Sequence, residues 1–115
     1  MIDFEGANLR KTNLTWSNLR EANLKWADLT KASLIETNLQ GANLIKANLI
    51  KANLHGVDIT GANLKEDNLR EVHYLTFDQL SKVKTFHDAK LDKKLLNSLK
   101  KEYGSFFKGK CPHYF

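Results

Sequence analysis

Residues 41–54 read Gly41-Ala42-Asn43-Leu44-Ile45-Lys46-Ala47-Asn48-Leu49-Ile50-Lys51-Ala52-Asn53-Leu54, a stretch in which Ala-Asn-Leu returns every five residues. The same register extends in both directions. Every fifth residue from position 4 is Phe4, Leu9, Leu14, Leu19, Leu24, Leu29, Leu34, Leu39, Leu44, Leu49, Leu54, Ile59, Leu64 and Leu69. All 14 are apolar in a chain that is 42% hydrophobic, an outcome expected by chance about once in 200,000 registers. Two positions before each centre the side chain is small, most often alanine (Ala7, Ala22, Ala27, Ala32, Ala42, Ala47, Ala52, Ala62), and the position between them is Asn, Asp or Ser.

Neither standard backbone uses a period of five. On an α-helix five residues advance about 500°, which scatters the leucines around the cylinder. On a straight strand, i and i+5 point to opposite faces. The period works if the chain turns a corner at each repeat and always directs one large and one small side chain inward. Four corners then close a coil of 20 residues, and coils stack at the inter-strand spacing of about 4.8 Å.

The runs Gly41-Ala42-Asn43-Leu44, Lys46-Ala47-Asn48-Leu49, Lys51-Ala52-Asn53-Leu54 and Gly61-Ala62-Asn63-Leu64 resemble the A(D/N)LXX unit of pentapeptide-repeat proteins. The resemblance covers residues 2–73 and implies an all-β solenoid, a right-handed quadrilateral β-helix of about three and a half coils. It also implies a helical C-terminal cap, as on other short members. The expected division is a β-helix over 1–75 and a cap with an aromatic, basic tail over 76–115.

The chain changes character after Leu75. Thr76-Phe77-Asp78-Gln79 has the form of a capping box and predicts a short helix to about Lys84. His87-Asp88-Ala89-Lys90-Leu91 returns to one repeat-like unit. Asp92 is placed to cap a second helix over Lys93–Tyr103, with the stripe Leu95, Leu96, Leu99 and Tyr103, and Gly104 suits C′. Phe106, Phe107, Tyr114 and Phe115 are expected to fold back onto the cap.

Three departures stand out. Asp67 occupies a small inward position, where a bare carboxylate costs several kcal/mol; bonding to exposed amides at the last coil is the expectation, a junction site with His73 the sharper reading. Thr37 and Val57 enlarge the same position. Bulky Met1, Ile2 and Phe4 stand at the first coil, which predicts a bore blunted by these side chains, pairing with a second chain through an end coil, or the start of a longer parent chain.

Outward positions 20 apart should form columns. Trp16 is expected beside Ile35 and Glu36, and Trp26 beside Ile45 and Lys46. Ile35, Ile45 and Ile50 fall on three different sides of one coil, and with Trp16 and Trp26 they make the candidate partner-binding surface, since exposed indoles dominate interfaces. Lys11, Lys31 and Lys51 form a second column, a candidate anion-facing strip that reads more readily as a solvated face.

No catalytic constellation emerges. His55, His73, His87 and His113 lack metal-ligand spacing, Cys111-Pro112-His113 offers two ligands at most, and Gly41, Gly56 and Gly61 are corner residues rather than a phosphate loop. No cofactor is expected, and a non-enzymatic interaction module with a protein partner is. The asparagines are expected to form amide ladders between coils.

The chain carries 18 Lys and Arg against 13 Asp and Glu over 115 residues, a net +5. Residues 1–75 hold nine basic and nine acidic side chains, so all of the excess lies in 76–115. The family includes quinolone-resistance proteins that bind DNA gyrase by resembling DNA. A neutral rod without loop insertions disfavours that alternative, and nucleic-acid binding generally. No apolar run approaches the roughly 20 residues of a membrane-spanning helix. The N-terminal residues lack a secretory pattern, and one cysteine fits a reducing compartment, so a cytoplasmic location is expected.

Overall fold

The computed structural model describes the backbone of residues 2–107 and the side chains of residues 2–104. Parallel bridges join residues 20 apart without interruption, from Asp3–Asn23, Asn8–Asp28 and Asn13–Ser33 up to Asn53–His73. The repeat therefore winds as a four-sided coil, one pentapeptide per side. The centre residues from Leu19 to Leu69 are buried in the bore with the alanines between them. Phe4, Leu9 and Leu14, in the first coil, pack against that core but stay partly exposed, since among the described residues none stacks beneath them.

The asparagine explains why the motif closes. Taking the unit around Leu9, its N–H reaches Asp28 O one coil up at 2.8 Å, and Lys11 N–H reaches Thr30 O at 2.9 Å. Thr12 N–H bonds back to Leu9 O at 3.2 Å, the i+3 contact of a β-turn. In the coil above, Asp28 N–H points down to Ala7 O at 2.9 Å. One donor per repeat is left, and Asn8 Oδ1 takes it from Arg10 N–H at 3.2 Å. The same bond recurs from Asn13, Asn23, Asn48 and Asp58, each to the residue two positions on. The expected amide ladder is thus corrected. Asn23 Nδ2 does reach down to Asp3 Oδ1 at 3.3 Å. The recurring task of the asparagine is nevertheless local, because the corner amide has no backbone acceptor within reach.

Each corner is a turn of type II form, with positive φ at its third residue. Gly6, Gly41, Gly56 and Gly61 meet that demand without strain; Lys11, Trp16, Glu21, Trp26, Lys31, Glu36, Lys46 and Lys51 adopt it at φ of 54–66°. An L side chain in this region costs about 1–2 kcal/mol relative to right-handed backbone, a cost that three coil-directed hydrogen bonds per repeat offset.

The coil departs from register at Tyr74. It stands where the next centre residue belongs, yet its ring is 64% exposed and its φ is +65°. Helix α1 (Phe77–Ser81) follows, with the expected capping box: Gln79 N–H donates to Thr76 Oγ1 at 3.2 Å and Thr76 N–H to Gln79 Oε1 at 2.7 Å. The helix is three residues shorter at its C-terminal end than expected. Leu80 is buried, and Gln79 Nε2 donates to Leu54 O, so α1 sits on the end of the rod.

Coil pairing then resumes with Asn63–Thr85 and Asn68–Lys90, now 22 residues apart. Phe86 and Leu91 take centre positions over Leu64 and Leu69, and Ala89 takes the small one. The β-helix thus runs past residue 75 to about residue 91. Helix α2 (Lys93–Phe107) is longer than expected and contains Gly104 rather than ending before it. Leu99 is buried, Leu95 and Leu96 pack on the core, and Tyr103 stacks on Phe77 at 3.9 Å between ring centroids. The backbone of Phe106 and Phe107 belongs to α2; Cys111, His113, Tyr114 and Phe115 lie outside the described residues.

Candidate interaction surfaces

The 20-residue register decides which outward side chains meet. Trp16 N–H donates to Ile35 O at 2.9 Å and Trp26 N–H to Ile45 O at 3.0 Å, so each tryptophan neighbours the expected isoleucine of the coil above, with Glu36 and Lys46 20 residues on. The tryptophans are ten residues apart, half a coil, and therefore occupy diagonally opposite corners. Ile50 stands at a corner between them, its carbonyl accepting Lys31 N–H from the coil below at 2.9 Å. These five residues are spread over three corners and form separate patches. The indoles are the exposed part, Trp16 at 75% and Trp26 at 55%, while Ile35, Ile45 and Ile50 are half-buried.

The Trp26 corner is the more elaborate. Lys46, one coil up, holds its ammonium 4.6 Å from the centre of the Trp26 ring, and Glu66, a further coil up, lies 4.0 Å from the same nitrogen. Asp88 continues the line and sits beside His87 at 3.3 Å. With Asn48, Asn68 and Lys90 these side chains border a groove of about 450 Å³. It offers an aromatic floor at one end and charges of both signs along its wall.

Lys11, Lys31 and Lys51 stack as expected at one corner and are all exposed. Lys51 Nζ lies 3.9 Å from Glu71, and Arg10 beside the strip is engaged with Asp28 at 3.3 Å. Each such surface pair is worth under about 1 kcal/mol, but together they dilute the positive strip.

Asp67 is fully buried. Its Oδ1 accepts Ala47 N–H at 3.0 Å, one coil down, and Oδ2 has no partner among the described residues. Burial pushes its carboxyl well above the ordinary carboxylate range, against a smaller opposing effect of the Ala47 amide. His73 is not its neighbour. It belongs to the next side of the coil, where its ring lies against Tyr74 at 6.4 Å. The junction site with His73 therefore does not form. His55 packs edge-on against the other side of Tyr74 at 5.4 Å, an aromatic cluster that the sequence period hides because Tyr74 leaves the register. Among the described residues no group of His, Cys, Asp and Glu could hold a metal ion, and no helix is long and apolar enough to cross a membrane.

This geometry is that of a known class. The profile of the pentapeptide repeats family, in eight copies, matches residues 2–34 and 27–65. The chain belongs to that family, whose solved members imply a right-handed β-helix. It is similar to the pentapeptide repeat protein Rfr23 of the cyanobacterium Cyanothece 51142, at 36% identity over 79% of this chain and 54% of that one, with a TM-score of 0.61. It is also similar to a pentapeptide repeat protein of the Arabidopsis thaliana thylakoid lumen, at 28% identity over 87% of this chain and 72% of that one, with a TM-score of 0.65. The chain thus spans about half the length of the first of these. No curated protein matches it in sequence.

Proposed function

We propose that the chain is a non-enzymatic protein-interaction module: a rigid rod whose corners present side chains to a protein partner. The observation that carries this reading is Trp26, an indole 55% exposed, held over a charged groove by a backbone that has no freedom to withdraw it. The bore of the described residues is packed, mainly with leucine and alanine. What remains for function is therefore the outside. Pentapeptide-repeat proteins generally serve as structural or interaction modules, which agrees with this reading. A partner with an apolar anchor flanked by both charge signs fits the corner, since Lys46, Glu66, Asp88 and Lys90 border it. The reading makes Trp16, at the opposite corner, a second and independent contact.

The test is affinity capture with wild type, Trp26→Ala and Trp16→Ala. Loss of specific partners with Trp26→Ala supports the proposal, and unchanged recovery with both variants contradicts it. A gel-retardation assay at low ionic strength checks the nucleic-acid alternative. The neutral rod predicts no shift.

A further inference from the structure

We infer that the corner bearing Trp16 and Tyr74 is a self-complementary ridge, along which two copies of the chain pair side by side and antiparallel, each Trp16 indole entering the groove beside Tyr74 of the other. This rests on the reading of Trp16 as a contact and names its partner.

The coil register stacks four levels at this corner. Trp16 N–H donates to Ile35 O at 2.9 Å and Glu36 N–H to His55 O at 2.9 Å, while His73 pairs above Asn53 and sets Tyr74 on the next level. Trp16, Glu36, His55 and Tyr74 therefore follow one another up a single edge, about 4.8 Å apart. The two end members are among the most exposed large apolar side chains of the described residues, at 75% and 64%. Glu36 is the one charged side chain in the column Thr15, Trp16, Ile35, Glu36, His55 and Gly56, whereas the neighbouring corner stacks Arg10, Lys11, Lys31, Lys51, Arg70 and Glu71. Aromatic enrichment with charge depletion distinguishes the core of a protein interface from ordinary surface.

The lower end of this ridge is a knob and the upper end a hole. Gly56 carries no side chain, and with His55, Val57, Tyr74, Thr76 and Gln79 it borders a groove of about 410 Å³. His55 stands edge-on to Tyr74 at 5.4 Å, and Gln79 Nε2 donates to Leu54 O at 2.9 Å, which fixes two of the walls. Asp78 at the rim is paired with Lys82 at 3.1 Å. The indole at the other end projects from a backbone bonded to the coil above.

A two-fold axis across this edge, midway between the levels of Glu36 and His55, exchanges the two outer levels and the two inner ones. Trp16 of each copy then meets the Tyr74 groove of the other. Glu36 meets His55, whose ring offers an N–H to a carboxylate in either charge state. The chain supplies both halves of the contact at matching heights, which singles out a second copy over an unrelated protein, and a contact of this isologous kind closes on itself. Two indoles and two phenol rings, at about 150–250 Å² each, with the walls that receive them, bring the buried area to about 1,000 Å², the lower limit of specific interfaces. Pairing is accordingly concentration-dependent, half complete on the order of tens of micromolar.

Sedimentation of the full chain over about 1 to 500 μM tests this. The expected result is a shift from the 13.2 kDa monomer to twice that mass. Trp16 and Tyr74 have φ of +61° and +65°, which glycine adopts without strain, so Trp16→Gly and Tyr74→Gly delete the knob and the groove wall while keeping the coil. Each weakens pairing about tenfold or more. Trp26→Gly, at φ of +66° on the opposite corner, leaves it unchanged. In an equimolar mixture of Trp16→Gly and Tyr74→Gly, the intact Trp16 of one faces the intact groove of the other, and the mixture associates more tightly than either variant alone. A monomer at all concentrations overturns the inference. So does a dimer that Trp16→Gly or Tyr74→Gly leaves intact, one that Trp26→Gly weakens as much, or a mixture no tighter than its components. All of these readings are made on this chain alone, so loss or persistence of partner capture at Trp26 has no bearing on them.

Discussion

Asp67 Oδ1 accepts the Ala47 amide at 3.0 Å inside a bore lined mainly by alanine and leucine. The carboxyl thus stacks where the column Ala7, Ala27, Ala47 would continue, and Ala89 closes it from above. One oxygen is satisfied and the other is not. The position has all the cost of burying a polar group and half of the compensation.

Replacing Asp67 by alanine should therefore stabilise the fold, by about 1–3 kcal/mol at pH 8. The gain depends on pH. Burial raises the folded pKa above the unfolded value of about 3.9. Between those two values the native state holds a proton that the unfolded chain has released, so Asp67 lowers stability progressively as pH rises through the window. Asp58 behaves oppositely. The Gln40 amide, bonded to it at 2.6 Å, outweighs partial burial and, with Thr60 and Lys82, lowers its pKa, so its contribution is lost on acidification. It is common to both proteins and cancels in the difference. Urea unfolding of wild type and Asp67→Ala at pH 4 and pH 8 should show the larger gain at pH 8; an equal gain at both would contradict it.

Ser33 stands where its neighbours have Asn or Asp, and its hydroxyl bonds to Thr15 Oγ1 at 2.9 Å rather than to the corner amide of Ile35. Ser33→Asn should supply the missing acceptor and stabilise by about 0.5–1.5 kcal/mol. The reverse change in a complete unit, Asn48→Ala, frees Ile50 N–H, now bonded at 3.0 Å, and should cost about 1–2 kcal/mol. Thermal unfolding of the two variants should move in opposite directions.

Gly56 combines positive φ with a crowded approach, because a Cβ added there runs into the carboxylate of Glu36 one coil below. Gly56→Ala should lose about 1–2 kcal/mol from backbone strain alone, and more from the contact. Adding Glu36→Ala should return the contact part and leave the strain. A double-mutant cycle in urea separates the two, and exact additivity would show that the carboxylate moves aside freely.

Much of this fold was legible because the repeat is so regular. Leu24, Leu44 and Leu64 announce one side of the bore, and Thr76 with Gln79 announces the start of α1. The pattern failed where the chain changed phase. The excursion through α1 adds two residues to the coil, so Phe86 lies off the five-residue register although it is fully buried in the bore. Gly104 reads as a helix stop, but the backbone continues to Phe107, as glycine's weak helix penalty of about 1 kcal/mol allows. The asparagine pattern was plain while its purpose was not. A sequence period cannot distinguish a side chain bonded to its own corner from one bonded to the next coil. At the surface, the neighbours Trp16–Ile35 and Trp26–Ile45 followed from the register, as did the spread of Ile35, Ile45 and Ile50 over three sides of one coil.

Every surface and edge described above depends on the 20-residue coil, and cross-linking tests it most directly. Stacked coils hold residues 20 apart at about 4.8 Å between Cα atoms, within the range that a disulfide spans. With Cys111→Ser to remove the native thiol, the pair Lys31→Cys and Lys51→Cys should oxidise to an intramolecular disulfide without loss of fold. The pair Lys31→Cys and Lys46→Cys, on neighbouring corners, should remain reduced. Closure of the second pair in preference to the first would contradict the four-sided coil.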